Sequence, residues 1–134
     1  INGWSYGGFM TITMMLREPG TFKAASCGGP VIDWKYYEVM YGERYMDTPE
    51  QNPEGYQKAS LLNQVKNLRG RLLIIHDYQD GTVVPQNSLM FLKKCVDEGK
   101  QVDYFIYPGH EHNVRGKDRV HLNQKMVQYF QDYL

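Results

Sequence analysis

The chain has 134 residues, with fifteen basic side chains balancing fifteen acidic ones, so the zero net charge favours neither nucleic acid nor an anionic membrane surface as a partner. Its hydrophobic content of 42% suits one compact domain, and Leu72–Ile75, the longest clean apolar run near a strand, is far too short to cross a bilayer. The two cysteines, Cys27 and Cys95, form no CxxC pair, which argues against redox and zinc chemistry and predicts buried free thiols.

The chain starts Ile1-Asn2 and runs at once into Gly3-Trp4-Ser5-Tyr6-Gly7-Gly8. Tyr6 to Arg17 predicts a helix with Phe9, Thr13 and Leu16 on one face, widened by Met10 and Met14, and ended by Pro19-Gly20. Phe22 to Gly28 predicts a short buried strand, stopped by Gly28-Gly29-Pro30. Asp33 to Tyr45 predicts a helix with Asp33 as its N-cap, followed by a loop over Thr48 to Pro53 and a short helix or turn over Glu54 to Leu62. Arg71 to His76 is continuously apolar in its interior, as expected of a strand covered on both faces. A polar loop, Asp77 to Thr82, leads to Pro85 and an amphipathic helix from Gln86 to Glu98, closed by Gly99. Val102 to Tyr107 predicts a further strand. A loop carrying His110 and His112 then leads to a last helix, Asp118 to Leu134, with Leu122, Met126, Val127 and Phe130 on its apolar side. Strands alternating with helices imply an α/β fold with a mostly parallel sheet and flanking helices.

The Gly3–Gly7 run fits Gly-x-Ser-x-Gly, the turn that exposes a nucleophilic serine between a strand and a helix in α/β-hydrolases. Both flanking glycines are expected to relieve a steric clash where the chain reverses. A serine hydroxyl needs a base to take its proton, and a carboxylate to orient that base. In parallel sheets, ligands sit beyond the carboxyl ends of the strands, where Ser5, Asp80 and His112 all fall, in the order such hydrolases use. His110 and His112 form an H-x-H pair that could ligate a metal, but no third ligand is spaced near it. His76 is expected to hold the acid loop, His121 to pack on a helix or face solvent, and Glu43 and Arg44 to pair as ions. Trp34, Tyr37 and Tyr41 fall at i, i+3 and i+7; spacing alone favours a core stripe over a binding face.

Over essentially its whole length the chain resembles the C-terminal part of the catalytic domain of the prolyl oligopeptidase family (peptidase family S9), in its dipeptidyl peptidase IV branch. The resemblance rests on Gly3–Gly8, Trp34-Lys35-Tyr36-Tyr37, Tyr41–Met46, His76-Asp77-Tyr78-Gln79-Asp80 and Glu111-His112-Asn113. It implies a nucleophile at Ser5, an acid at Asp80 rather than Asp77, a base at His112 and an oxyanion donor at the Tyr6 backbone N–H. It turns the aromatic stripe into a pocket wall, with Tyr6, Val31, Trp34, Tyr37, Tyr41, Thr82 and Val83 around the residue before the scissile bond. Asp77 stands where that family usually has glycine, Asn113 where glycine is commoner, and Thr82 where an asparagine contacts substrate. The Asp77 departure bears on the acid-loop geometry and the Thr82 departure on one substrate hydrogen bond, whereas the Asn113 exchange is mild because asparagine visits the left-handed region readily.

What the resemblance implies is a serine peptidase that removes X-Pro or X-Ala dipeptides from free N-termini. The alternatives are an acylaminoacyl peptidase, oligopeptidase or carboxylesterase of the same superfamily, or a non-catalytic binding or assembly domain. A peptide is the expected partner, and no cofactor, metal, nucleic acid or membrane contact is expected of this segment. Residues 1–134 are expected to be part of one catalytic domain, its N-terminal half and a β-propeller lying elsewhere. The segment alone is expected to be inactive and to self-associate into a homo-oligomer. A periplasmic, secreted or membrane-anchored setting is favoured by the resemblance, with a cytoplasmic one also open.

Overall fold

The computed structural model describes residues 1–134. Four parallel strands form one sheet in sequence order: β1 (Asn2–Trp4), β2 (Ala24–Gly28), β3 (Arg71–Asp77) and β4 (Asp103–Tyr107). Five helices accompany them: α1 (Tyr6–Arg17), α2 (Val39–Met46), α3 (Pro53–Ala59), α4 (Gln86–Asp97) and α5 (Asp118–Tyr133). Two 3-10 segments, Trp34–Tyr36 and Leu61–Asn67, complete the chain. No helix is long and apolar enough to cross a membrane.

Strand β3 divides the core in two. Leu72 and Ile74 join Phe9, Ile12 and Leu16 of α1 and Phe91 and Cys95 of α4 on one face. Leu73 and Ile75 join Tyr107, Val114, and Leu122 and Tyr129 of α5 on the other. Successive strand residues point to opposite faces, so a strand covered on both sides must be apolar at every step, as Leu72–Ile75 is. Both thiols are free and buried, and burial pushes Cys27 far above the usual thiol range and Cys95 up to about 12. Neither is poised to react.

Three expected elements differ in detail. In α1 the buried residues are Gly8, Phe9, Thr11, Ile12, Thr13, Met15 and Leu16, whereas Met10 is exposed and Met14 half-buried. The helix packs on the sheet and also against Leu61 and Val65 of the second 3-10 segment, so its buried arc is wide and turned toward Ile12 and Met15. In α5 the packed stripe is Leu122, Met126, Tyr129 and Tyr133; Val127 is 55% exposed and Phe130 only partly buried. Tyr129 wins the core position because its hydroxyl donates to Asp103 at 2.8 Å, which satisfies its polar tip.

The helix expected from Asp33 to Tyr45 is broken. Asp33 does cap a turn, accepting from the Lys35 N–H at 3.0 Å, but that turn ends at Tyr36 and Tyr37 is extended. Glu38 then caps α2 afresh, its two carboxylate oxygens accepting from the Met40 and Tyr41 N–H groups at 3.0 Å each. A side chain that satisfies first-turn donors lets a new helix start at Val39, soon after the first turn has ended at Tyr36.

The close approach of β1 and β2 depends on Gly28. A Cβ placed there would lie 1.9 Å from the Trp4 ring. Gly28→Ala is therefore expected to displace Trp4 and to cost about 1–3 kcal/mol. Equilibrium unfolding of the full-length protein, with tryptophan emission as the local probe, checks this.

Candidate active site

Ser5 sits between β1 and α1 with φ 58° and ψ −119°, an unfavourable backbone for a residue with a Cβ. The strain is held by hydrogen bonds on both sides: the Ser5 N–H donates to the Gly28 carbonyl at 2.8 Å, and the Ser5 carbonyl accepts from the Phe9 N–H at 3.0 Å. The steric requirement falls on Gly3 and Gly8 rather than on both flanking positions. A Cβ on Gly3 would meet the Gly7 carbonyl oxygen at 2.2 Å and one on Gly8 the Gly28 oxygen at 3.0 Å, whereas Gly7 has open space. The Tyr6 N–H lies in the first turn of α1, where donors have no intrahelical acceptor.

His112, from the loop after β4, places Nε2 at 2.9 Å from the Ser5 Oγ. Its Nδ1 lies 2.8 Å from Oδ2 of Asp80, from the loop after β3. A carboxylate can only accept, so Nδ1 carries the proton toward Asp80 and Nε2 is left to accept from the serine hydroxyl. The other Asp80 oxygen accepts from the Thr82 and Val83 N–H groups at 2.9 and 2.8 Å. Burial, the largest single influence on Asp80, opposes its ionisation. Hydrogen bonds from His76, His112 and the Val83 N–H together outweigh it and hold the carboxyl below its ordinary range.

His76 is wholly buried at the end of β3. Its Nε2 is 2.8 Å from the Val83 carbonyl and 3.5 Å from Oδ2 of Asp80, and its Nδ1 is 2.7 Å from the Ser88 hydroxyl. It thus braces the acid loop against α4. Asp77 is buried but makes no side-chain hydrogen bond, and it is absent from the positive-φ residues, so the loop does not need glycine there. The H-x-H pair is split: His110 turns to Asp118 at 2.8 Å while His112 faces Asp80 and Ser5. No group of three His, Cys, Asp or Glu side chains is placed to hold a metal. His121 is exposed and its Nδ1 is 2.7 Å from the Tyr107 hydroxyl. Glu43 and Arg44 form no ion pair; Arg44 lies over the Tyr45 ring instead.

Although Trp34, Tyr37 and Tyr41 do not share one helix, their rings meet. Trp34 is 5.4 Å from Tyr37 and stacks on Tyr41 at 6.0 Å, Tyr37 is 5.4 Å from Tyr41, and Tyr6 is 6.0 Å from Trp34. Burial first, then the charges of Tyr41, Glu38 and Asp80, holds the Tyr37 phenol above its ordinary range. Tyr37 thus lies within the field of the acid. Val31 and Val83 are buried against the same cluster. A cavity of about 400 Å³ opens beside it, lined by Tyr6, Phe9, Trp34, Tyr41, Tyr45 and Met46, with Gly42 and Ala59. Val31, Tyr37, Thr82 and Val83 do not line it. Thr82 serves the site through its backbone N–H to Asp80.

The prolyl oligopeptidase family profile matches residues 1–134, the entire chain. The chain belongs to the prolyl oligopeptidase family. A Coccidioides posadasii protein assigned as dipeptidyl-aminopeptidase B is 39% identical over 137 aligned positions, covering 98% of this chain and 14% of that protein. Its Aspergillus oryzae counterpart is 40% identical over 84% of this chain and 13% of its own length. Among solved structures, one from Bacteroides ovatus assigned as a dipeptidyl aminopeptidase IV superposes with TM-score 0.98 at 59% identity, over 99% of this chain and 19% of that one. Porphyromonas gingivalis dipeptidyl peptidase 4 gives 0.96 at 38% identity, over 100% and 19%. The chain therefore spans only about a seventh to a fifth of the length of these prolyl oligopeptidase family relatives.

In this family member, three residues that hold the site in place were given no such role by motif reading. Gly29, read only as a strand stop, has φ +47°, and a Cβ there would lie 3.3 Å from Oδ2 of Asp80 and 3.4 Å from Cε1 of His112. Trp4 donates from Nε1 to the His112 carbonyl at 2.7 Å and so anchors the histidine loop. Asn87, buried on α4, accepts at Oδ1 from the Ile32 N–H at 2.9 Å and positions the segment that carries Val31 and Trp34. The usable signals were the Gly28-Gly29 pair and the tryptophan inside the serine motif. Gly29→Ala is expected to spread the Asp80–His112 pair and cut the rate of Ser5 labelling by a fluorophosphonate at least roughly tenfold, with Trp4→Phe giving a smaller loss. Labelling kinetics on the full-length protein check both.

Proposed function

We propose that residues 1–134 are the C-terminal part of the catalytic domain of a serine peptidase that releases X-Pro or X-Ala dipeptides from free N-termini. The observation that carries this reading is the hydrogen-bonded relay Asp80–His112–Ser5 standing beside an aromatic box of Trp34, Tyr37 and Tyr41. The names of the fungal and bacterial relatives point the same way.

Ser5 Oγ attacks the scissile carbonyl as His112 Nε2 takes its proton. Asp80 holds the Nδ1 proton and stabilises the imidazolium that forms. The carbonyl oxygen gains negative charge, which the Tyr6 N–H meets as a preorganised donor. His112 then returns its proton to the leaving amine, and the C–N bond breaks. Water attacks the acyl-enzyme with His112 again as base, which frees the dipeptide and restores Ser5. A proline ring is rigid and apolar, so a box of aromatic faces holds it at little entropic cost. Val31 and Val83 back that box, and Thr82, lacking an amide, leaves the substrate with one fewer side-chain partner.

The full-length protein is expected to hydrolyse a Gly-Pro anilide. Ser5→Ala or His112→Ala should lower kcat by roughly 10⁵–10⁶-fold and Asp80→Asn by roughly 10⁴-fold. Faster cleavage of N-blocked peptides or simple esters than of the free dipeptide anilide would contradict the dipeptidyl assignment.

A further inference from the structure

One wall of the aromatic box is the segment from Val31 to Trp34, which follows β2 and is buried throughout. Val31, Ile32 and Asp33 lie in no helix or strand, and the Ile32 and Asp33 N–H groups donate to no backbone carbonyl. A buried N–H left without an acceptor is costly. Asn87 supplies the acceptor. It is wholly buried on α4, and its Oδ1 accepts from the Ile32 N–H at 2.9 Å and, more weakly, from the Asp33 N–H at 3.4 Å. The rest of the segment is tied on the other side: the Ile32 carbonyl accepts from the Leu61 N–H at 3.0 Å, and the Asp33 carboxylate accepts from the Lys35 N–H and the Ser60 hydroxyl.

The other end of the Asn87 amide reaches the opposite wall. Nδ2 donates to the Val84 carbonyl at 3.3 Å, and the Asn87 backbone N–H donates to the same oxygen at 3.0 Å. Val84 follows Val83, which is buried against the box and donates its N–H to Asp80. A single amide, with an acceptor and a donor at fixed separation, thus bridges the two walls.

We propose that Asn87 is a positioning residue that sets the selectivity of the peptidase for the residue before the scissile bond. It fixes the spacing of the Val31–Trp34 segment and the Val83–Val84 segment, and so the width of the box between them. The inference rests on the peptidase reading proposed above. None of the Asn87 side-chain bonds reaches Ser5, Asp80 or His112, so its effect on rate passes through the walls. Proline offers those walls two more carbons than alanine, and burying them is worth roughly tenfold in kcat/KM when the walls stay closed on the ring. Without the amide, the Ile32 and Asp33 N–H groups must shift toward water, and the walls part. Proline then loses that gain, while alanine, which reaches less far, loses little.

The experiment measures kcat/KM of the full-length enzyme for Gly-Pro and Gly-Ala anilides. Asn87→Ala should lower the proline-to-alanine ratio at least roughly threefold, with the loss falling on Gly-Pro. Asn87→Asp is the second variant should alanine fold poorly. It keeps the size and the Oδ1 acceptor but sets an oxygen against the Val84 carbonyl, and it should move the ratio the same way. A residue that only stabilised the fold would lower Tm and both rates together and leave the ratio in place. A fall of that size in a folded variant supports the proposal. A smaller change in the ratio, with Ser5→Ala still abolishing turnover, overturns it and leaves the peptidase reading intact. A wild-type enzyme that cleaves neither anilide, or turnover that survives Ser5→Ala, overturns both.

Discussion

The Asp80 carboxylate is the one side chain on which three loops at the carboxyl edge of the sheet converge. It accepts from the Thr82 and Val83 N–H groups of its own loop, takes the Nδ1 proton of His112 from the loop after β4, and lies against Gly29 from the loop after β2. Burial alone would drive such a group toward neutrality, yet the donors around it keep it charged. That balance leaves Nε2 of His112, rather than Nδ1, to accept from the Ser5 hydroxyl. It also couples the acid to the aromatic box, since Tyr37 senses its charge. Loss of the carboxylate would release the histidine tautomer and two backbone donors at once.

The second constraint is how closely the backbone segments approach. Gly28 admits the Trp4 ring, Gly3 lets the serine turn fold onto Gly7, and Gly29 lets the Asp80–His112 pair sit on the chain. Trp4 then reaches across to the His112 carbonyl. The serine turn and the histidine loop are thus tied by one indole, which explains why the motif carries a large side chain beside two small ones. The strain at Ser5 is maintained by the same contacts, because its N–H is bonded to the Gly28 carbonyl.

Much of this was legible in the chain itself. The apolar run of β3, the Pro85 start and Gly99 stop of α4, and the three polar loops at one sheet edge follow from side-chain period and turn chemistry. What was hidden depends on tertiary competition. Nothing in the 33–45 spacing distinguishes one helix from two turns capped by Asp33 and Glu38, since both use the same residues and differ only in which carboxylate takes the free N–H groups. The stripe of α5 was misread because hydrophobicity ranks Val127 and Phe130 above Tyr129, whose hydroxyl is satisfied only by a distant Asp103. Asn87 acts through a contact distant in sequence that no local pattern announces, and the Gly28-Gly29 pair marks a chain break without showing that Gly29 packs against Asp80 and His112.

The central claim is that Ser5 is the nucleophile and that the neighbouring aromatic rings receive the residue before the scissile bond. A crystal structure of the full-length protein with a dipeptide boronic acid ending in boroproline tests both together. The account predicts a covalent bond from boron to Ser5 Oγ, with the pyrrolidine ring against Trp34, Tyr37 and Tyr41. Boron bonded to another residue, or a proline ring lying away from those three side chains, would contradict it.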